Sequence, residues 1–228
     1  MIKHGKTILA IALLASAAPL LQGCFPAVAT GVTVGVLAAF DRRTLGTQTD
    51  DETIEWKAGN RLDKYGKDAH INVTSYNRKL LITGEALNED VKNQIGDLAR
   101  TIENVQDVWN EMRIGSPATL GNRSNDAYIT SKVKARFVDS GKFAPQHVKV
   151  VTEGATVFLL GIVNEREAQA AIQVARTTDG VRKVVNVMEV VAETETRRLD
   201  SLTSTQKKSA PAASSAPPSE APVETRSR

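Results

Sequence analysis

Residues 51–62 of this chain, DETIEWKAGNRL, decide its fold, because a related segment, DAYITSKVKARF, returns 75 residues later at 126–137. In both segments an apolar residue recurs at every fourth position, which predicts an amphipathic helix with one buried face. The similarity continues downstream at offsets of 76 and 77 residues, and the offset changes between elements, where loops tolerate changes in length. The chain therefore carries two copies of one unit.

The same elements follow the first helix in each copy. Two short strands of alternating apolar residues flank a turn, at 77–78 in one copy and 153–154 in the other. A second helix starts after Asn88 or Asn164, whose side-chain oxygens are suited to accept a free backbone N–H. A last apolar strand ends each unit, so the order of elements is αββαβ.

This order predicts the α+β class, with a three-stranded sheet and both helices on one of its faces. We expect two tandem two-layer sandwiches, a first domain at 51–115 and a second at 124–192. Asp51 in the first copy and Asn125 or Asp126 in the second stand where each first helix is expected to begin, which predicts that they act as N-caps.

The beginning of the chain is typical of a secretory signal. Lys3 and Lys6 precede an uncharged apolar run at 8–21, which is shorter than the roughly 20 residues that a bilayer span needs. The run ends in LQGC, which resembles the bacterial lipobox, where the leader is cut before a cysteine that carries lipid. The sequence therefore predicts a signal peptide at 1–23, with a diacylglyceryl and an N-acyl lipid on Cys24.

Cys24 is the single cysteine of the chain, which excludes an intramolecular disulfide. The alternative to lipidation is a buried free cysteine after an ordinary signal. In lipoproteins an aspartate directly after the cysteine usually retains the protein in the inner membrane, and here that position is Phe25. The resemblance therefore implies a protein of the outer membrane that faces the periplasm, with residues 24–50 as a lipidated tether.

The composition argues against nucleic-acid binding, metal binding and catalysis. With the leader removed, 27 basic residues stand against 26 acidic ones, so the mature protein is close to neutral and nucleic acid is not an expected partner. His4 lies in the leader, and His70 and His147 precede equivalent strands of different copies. We therefore predict no catalytic residue, no metal site, no cofactor other than the lipid, and no enzyme activity.

The last 26 residues, 203–228, contain 18 Ser, Thr, Ala or Pro residues. Such a segment cannot bury enough apolar area to offset its ordering entropy, which predicts a disordered tail. Its two interpretations are a passive extension and an arm that reaches toward peptidoglycan.

Three features together resemble the BON domain: a glycine late in the second strand, the Asn-Glu helix starts at 88–89 and 164–165, and the closing segment GVRKVVN at 180–186. The likeness covers about residues 51–191. With the lipobox it identifies the chain as a member of the dual BON-domain outer-membrane lipoproteins. The resemblance implies a role in envelope integrity, binding to anionic phospholipid and placement at the division site.

The first helix of the second copy, 125–138, is the predicted binding surface. Basic side chains there flank apolar ones, and such side chains can reach lipid headgroups while a tyrosine sits at the interface. The first copy has Thr53 and Gly59 where the second has Tyr128 and Lys134. The predicted phospholipid-binding residues are Tyr128, Lys132, Val133, Lys134 and Val138.

Two alternatives remain open from the sequence. Ile129, Val133 and Phe137 have the spacing of core residues, in which case the lysines are only solvated. A second function is an adaptor for an outer-membrane protein assembly machine, with the sheets or the tail as the contact surface.

Overall fold

The structure is a computed structural model that describes residues 41–209, with side chains as far as Thr203. The predicted signal peptide, Cys24, the tether before Asp41 and the tail beyond Ser209 lie outside the described residues. The described residues belong to one compact unit that contains both repeats.

The first repeat folds as two helices on one face of a sheet. Strands β1 and β2 form an antiparallel hairpin, and the last strand, in two segments β3 and β4, runs parallel to β2. The sequence predicted this strand as one continuous element. The element bounds are α1 (Leu45–Leu62), β1 (Ala69–Tyr76), β2 (Lys79–Ala86), α2 (Glu89–Arg100), β3 (Asp107–Asn110) and β4 (Arg113–Ile114).

The second repeat has the same topology, with β5 and β6 antiparallel and both β7 and β8 parallel to β6. A further helix, α5, follows it. The α+β class with two tandem αββαβ sandwiches is confirmed. The element bounds are α3 (Leu120–Ser140), β5 (Val148–Glu153), β6 (Thr156–Val163), α4 (Glu165–Arg176), β7 (Lys183–Asn186), β8 (Glu189–Val190) and α5 (Glu193–Ser209).

Each repeat has its own core between helices and sheet, and the predicted helix stripes supply it. Ile54, Ala58 and Leu62 are fully or almost fully buried in the first core. Ile129, Val133 and Phe137 hold the same places in the second. Because these side chains define the same face in both copies, the interpretation of all three second-copy residues as core is correct.

Both first helices begin earlier than the sequence analysis placed them. Thr44 is the N-cap of α1 and accepts from Thr47 N, and Thr119 is the N-cap of α3 and accepts from Asn122 N. Helix α1 therefore includes residues assigned to the tether. The duplication already contained the signal, since the tripeptide Thr-Leu-Gly occurs at 44–46 and again at 119–121.

Asp51 and Asp126 are buried inside the helices and are not N-caps. Each instead accepts the backbone N–H groups of the neighbouring hairpin turn. Asp51 accepts from Asn77 and Arg78 at 2.8 and 2.7 Å. Asp126 accepts from Gly154 and Ala155 at 2.8 and 2.7 Å. This repeated aspartate joins helix to hairpin because the turn residues have positive φ angles, which direct consecutive N–H groups to one side.

The two sheets pack face to face through the surfaces that their helices leave free. A third apolar cluster contains Leu81 of the first sheet together with Phe158, Leu160 and Ile162 of the second. The described molecule is therefore layered as helices, sheet, sheet, helices. The free sheet faces cover each other, so they are not available as the contact surface of an adaptor.

Arg42 joins the start of the described chain to the second repeat and to α5. Its guanidinium donates to both oxygens of Glu167 at 2.7 and 3.0 Å, and to both oxygens of Asp200 at 2.7 and 2.9 Å. The Ile162 carbonyl accepts a fifth bond at 2.8 Å. Since all five N–H donors are used, the side chain can be only 2% exposed without an unmet hydrogen bond.

Helix α5 extends through Ser209 and thus seven residues into the segment predicted as a disordered tail from 203. Leu199 packs at the edge of the cluster between the sheets, and Asp200 binds Arg42. These contacts give the helix a partner that composition alone did not reveal. None of the helices in the described range is both long and apolar enough to cross a membrane.

Candidate membrane-binding surface

Helix α3 presents its predicted binding face to solvent at two of the predicted apolar positions. Tyr128 is 61% exposed and Val138 is 66% exposed. Leu120, which the sequence analysis did not include, is 80% exposed and lies about five turns before Val138, so both occupy the same side of the helix. The sequence signal that could have identified Leu120 is an apolar residue directly after the Thr119 cap.

Val133 does not belong to this surface. It is fully buried in the core of the second repeat, between Ile129 and Phe137. A buried side chain cannot contact a lipid without opening the core, so its place among the predicted phospholipid-binding residues is wrong. The physical reason is the helical period, which places residue 133 on the same face as residues 129 and 137.

Lys132 is partly occupied by contacts within the protein. Its Nζ lies 2.9 Å from a carboxylate oxygen of Asp179 and 4.6 Å from the centre of the Tyr128 ring. The hydrogen bond and charge of Lys132 lower the pKa of Asp179. The same contact exists in the first repeat, where Lys57 binds Glu103 at 2.5 Å. The lysine on this helix turn therefore has a structural role common to both copies.

Arg136, which also flanks the predicted site, is held by the end of α4. It donates to the Val174 carbonyl and to the hydroxyls of Thr177 and Thr178 at distances between 2.9 and 3.2 Å. Arg61, at the equivalent position of the first repeat, donates to the Thr101 carbonyl. This arginine is thus a second contact that the two copies share.

Lys134 differs from Lys132 and Arg136 in that its charge has no partner among the described residues. It is exposed, and it forms no hydrogen bond or ion pair with any residue in the part of the chain that the structure describes. Gly59 stands at this position in α1, so the first repeat has no counterpart to the charge. Of the three predicted lysine and arginine neighbours on this helix, Lys134 is the one whose charge is available to a ligand.

A groove of about 410 Å³ lies beside Lys134 and Val138, and the start of the described chain forms part of its wall. Asp41 and Arg43 line it together with Tyr76. Arg43 binds Asp41 and Asp51 and lies 4.1 Å from the centre of the Tyr76 ring. Burial and the nearby charge of Asp41 raise the pKa of the Tyr76 hydroxyl, so it stays protonated.

The chain therefore enters the folded unit next to the exposed end of α3. The buried Arg42 fixes this entry point, and its neighbours Asp41 and Arg43 line the groove.

Both repeats match the BON domain family, over residues 50–116 and 125–192, and the chain belongs to this family. The chain is 37% identical to the outer membrane lipoprotein DolP of Haemophilus influenzae over 182 residues, which cover 78% of this chain and 94% of that protein. It is 36% identical to a 21 kDa hemolysin of Actinobacillus pleuropneumoniae over 154 residues, or 66% and 79% of the two chains.

A shorter match reaches the osmotically-inducible protein Y of Escherichia coli, with 35% identity over 72 residues, or 31% of this chain and 36% of that one. The long match, which includes both repeats, defines the chain more closely than a single BON domain does. The protein is a DolP-like outer-membrane lipoprotein with two BON domains.

Proposed function

We propose that this lipoprotein is a non-enzymatic envelope protein that is anchored through lipid on Cys24 and binds anionic phospholipid through the exposed face of α3. The binding residues are Tyr128, Lys134 and Val138, with Leu120 as an apolar addition and Lys132 in a secondary role. The observation that carries the proposal is that Tyr128, Lys134 and Val138 are all exposed on one helix. The first repeat has Thr53, Gly59 and Asp63 at the three principal positions.

The placement of the tether supports this surface. Residues 41 and 43 line the same groove as Lys134 and Val138, so the chain that leads back to Cys24 leaves the described unit beside the proposed contact. An acyl chain contributes about 0.8 kcal/mol of membrane affinity for each buried methylene, whereas a basic side chain near an anionic surface contributes about 1 kcal/mol. The lipid therefore supplies most of the affinity, and α3 determines orientation and lipid preference.

The test uses the chain from residue 24 with Cys24→Ser, which keeps the whole compact unit and removes the acyl chains. Co-sedimentation with phosphatidylglycerol vesicles is expected to exceed that with phosphatidylcholine vesicles and to weaken with salt, because exposed charges are screened. The double variant Tyr128→Ala with Lys134→Ala is expected to lose this preference.

Thr53→Ala with Lys57→Ala provides the matched control on the equivalent helix. Its binding is expected to equal that of the parent. Equal sedimentation with both lipids, or an unchanged preference in the Tyr128 and Lys134 variant, would contradict the proposal.

Placement at the division site belongs to the same proposal, as enrichment where anionic lipid is concentrated. A fluorescent fusion of the full chain is expected to concentrate at the septum, and the Tyr128 and Lys134 variant is expected to spread around the envelope while keeping its expression level. Septal enrichment of that variant would separate localisation from lipid binding.

One observation favours the adaptor function as a second candidate. Trp56 on α1 is 70% exposed, and tryptophan is enriched at the centres of protein interfaces. Crosslinking in cells distinguishes the candidates, because an adaptor gives one dominant protein adduct that persists in Tyr128→Ala and is lost in Trp56→Ala.

A further inference from the structure

His70, Glu85 and Glu153 lie together where the two repeats meet. His70 on β1 and Glu85 on β2 are paired across the first hairpin, and Glu153 ends β5 of the second repeat. One imidazole nitrogen and one oxygen from each carboxylate all lie within 4.8 Å of one another. The sequence offered no sign of this cluster, because its members come from three strands and two domains.

Within this cluster, His70 has a ring nitrogen without a hydrogen-bond partner. The Nδ1 atoms of His70 and of its counterpart His147 are both buried without a hydrogen-bond partner, but within the described residues only His70 belongs to a cluster of possible metal ligands. Oε2 of Glu85 lies 3.4 Å from Nδ1 of His70, which is longer than a good hydrogen bond. Two ligands of a tetrahedral zinc ion, each at about 2.0 to 2.1 Å from the metal, are themselves about 3.4 Å apart. The separation of these two atoms therefore suits an ion between them.

Hydrogen-bond donors orient both carboxylates, and each carboxylate oxygen has two lone pairs, so an oxygen that accepts one hydrogen bond can still bind a metal ion. Arg113 donates to Oε1 of Glu85, while Oε2 faces His70 and accepts one backbone N–H at 3.2 Å, which leaves one lone pair of Oε2 for a metal ion. Asn72 donates to Oε2 of Glu153 at 2.8 Å, which leaves the other oxygen free of that bond. Hydrogen bonds of this kind orient carboxylate ligands in metal sites. With Arg113 included, the cluster still carries one excess negative charge when His70 is neutral.

A cavity of about 290 Å³ provides access to the cluster and is lined by His70, Glu153 and Asn72. The second repeat contains no equivalent site. Its corresponding histidine, His147, has Ile162 at the position of Glu85. The three ligands are thus specific to the junction of the two domains.

We propose that His70, Glu85 and Glu153 bind a zinc ion that links the first repeat to the second. One nitrogen and two carboxylate oxygens form a set suited to zinc, whereas calcium and magnesium prefer oxygen ligands alone. A water molecule would complete four-coordination. Because one ligand comes from the second repeat, the bound ion stabilises the contact between the sheets, independently of membrane binding.

The test is calorimetric titration of the full chain in detergent with zinc chloride at neutral pH, followed by thermal unfolding with and without zinc. We expect one saturable zinc site per chain and a higher melting temperature with zinc, because a ligand of the folded state stabilises it. His70→Ala and Glu153→Gln are each expected to weaken binding about tenfold or more. Magnesium is expected to produce neither effect.

His147→Ala is the matched control and should bind zinc as the parent does. Hydrogen exchange gives the readout specific to the domain junction, since zinc should slow exchange in both β1 and β5 of the parent and in neither strand of Glu153→Gln. Absence of binding at millimolar zinc, or equal affinity in the parent, His70→Ala and Glu153→Gln, would overturn the proposal.

Discussion

Helices α1 and α3 occupy the same place in the two repeats, and their differences separate scaffold from binding surface. Both begin at a threonine cap, both bind the hairpin turn through a buried aspartate, and both use a lysine to bind an acidic residue beyond the second helix. A feature present in both copies needs no special function. Tyr128, Lys134 and Val138 are present on α3 alone, and each is exposed.

Two of the three basic residues on this part of α3 make internal contacts that also occur in the first repeat. Lys132 and Arg136 match the charge pattern of a lipid-binding helix, yet their counterparts Lys57 and Arg61 make the same internal contacts in the first repeat. Lys134 replaces Gly59, whose surroundings leave open space for a side chain. The first repeat thus shows which basic residues of α3 have a structural role, and Lys134 is not one of them.

The second repeat, unlike the first, is joined through Arg42 to the start of the described chain and to α5. Arg42→Ala removes this connection and has the largest effect that we expect. Removing the guanidinium leaves Glu167 and Asp200 without their counter-charge, and loss of one partner of a buried ion pair costs about 3 to 5 kcal/mol. Urea unfolding of the chain from residue 24 with Cys24→Ser measures the free energy of unfolding. A loss below about 1 kcal/mol would contradict the role given to Arg42.

The two buried aspartates, Asp51 and Asp126, differ in the number of bonds that they accept. Asp51 also accepts from the Ser75 hydroxyl at 2.6 Å and binds Arg43, whereas Asp126 has the two turn amides as its partners among the described contacts. We expect Asp51→Ala to cost about 3 kcal/mol and Asp126→Ala about 2 kcal/mol, since bonds to a charged group contribute more than neutral ones. Equal losses in urea unfolding would mean that the extra bonds of Asp51 contribute nothing.

Acid should destabilise the second repeat through the Arg42 network. The bonds to Arg42 outweigh burial and lower the pKa of Glu167, and they lower the pKa of Asp200 directly. Burial and then the charge of Arg42 lower the pKa of His147 from 6.5. A lowered folded-state pKa means that the unfolded chain binds more protons, so the free energy of unfolding decreases as the pH is lowered.

The expected profile has two parts. Stability begins to fall below about pH 6.5 as His147 is protonated in the unfolded chain, and falls further below about pH 4.5 as the carboxyls are protonated. Unfolding followed by circular dichroism across this range measures it, and Arg42→Ala should flatten the lower part. A parent chain that gains stability between pH 7 and pH 5 would show that the sign is wrong.

The smallest effect tests the ranking of the two lysines. Lys134→Ala is expected to lower the affinity for phosphatidylglycerol vesicles about fivefold, which corresponds to about 1 kcal/mol. Lys132→Ala is expected to have a smaller effect, because Asp179 already neutralises part of its charge. Vesicle co-sedimentation at low salt measures both, and a larger loss in Lys132→Ala would reverse the ranking.

Much of the fold could be predicted because it depends on local patterns. The periodicity of the helices, the asparagine caps and the repeat itself are properties of short segments, and Asn88 and Asn164 cap α2 and α4 as predicted. The Asp51 and Asp126 contacts could not be predicted in this way. Their partners lie in turns more than 20 residues away, and a cap and a buried turn ligand use the same residue type.

The sequence by itself determined that the chain is a duplicated αββαβ unit with a lipoprotein-type beginning, because hydrophobic period and repeat offset are encoded along the chain. Tertiary structure decided that the sheets pack on each other, that Arg42 joins the first residues to α5, and that Val133 is buried while Lys134 is available. It also brought His70 to Glu153. These features depend on which surfaces meet in space, and burial and charge pairing across that distance leave no periodic trace in the sequence.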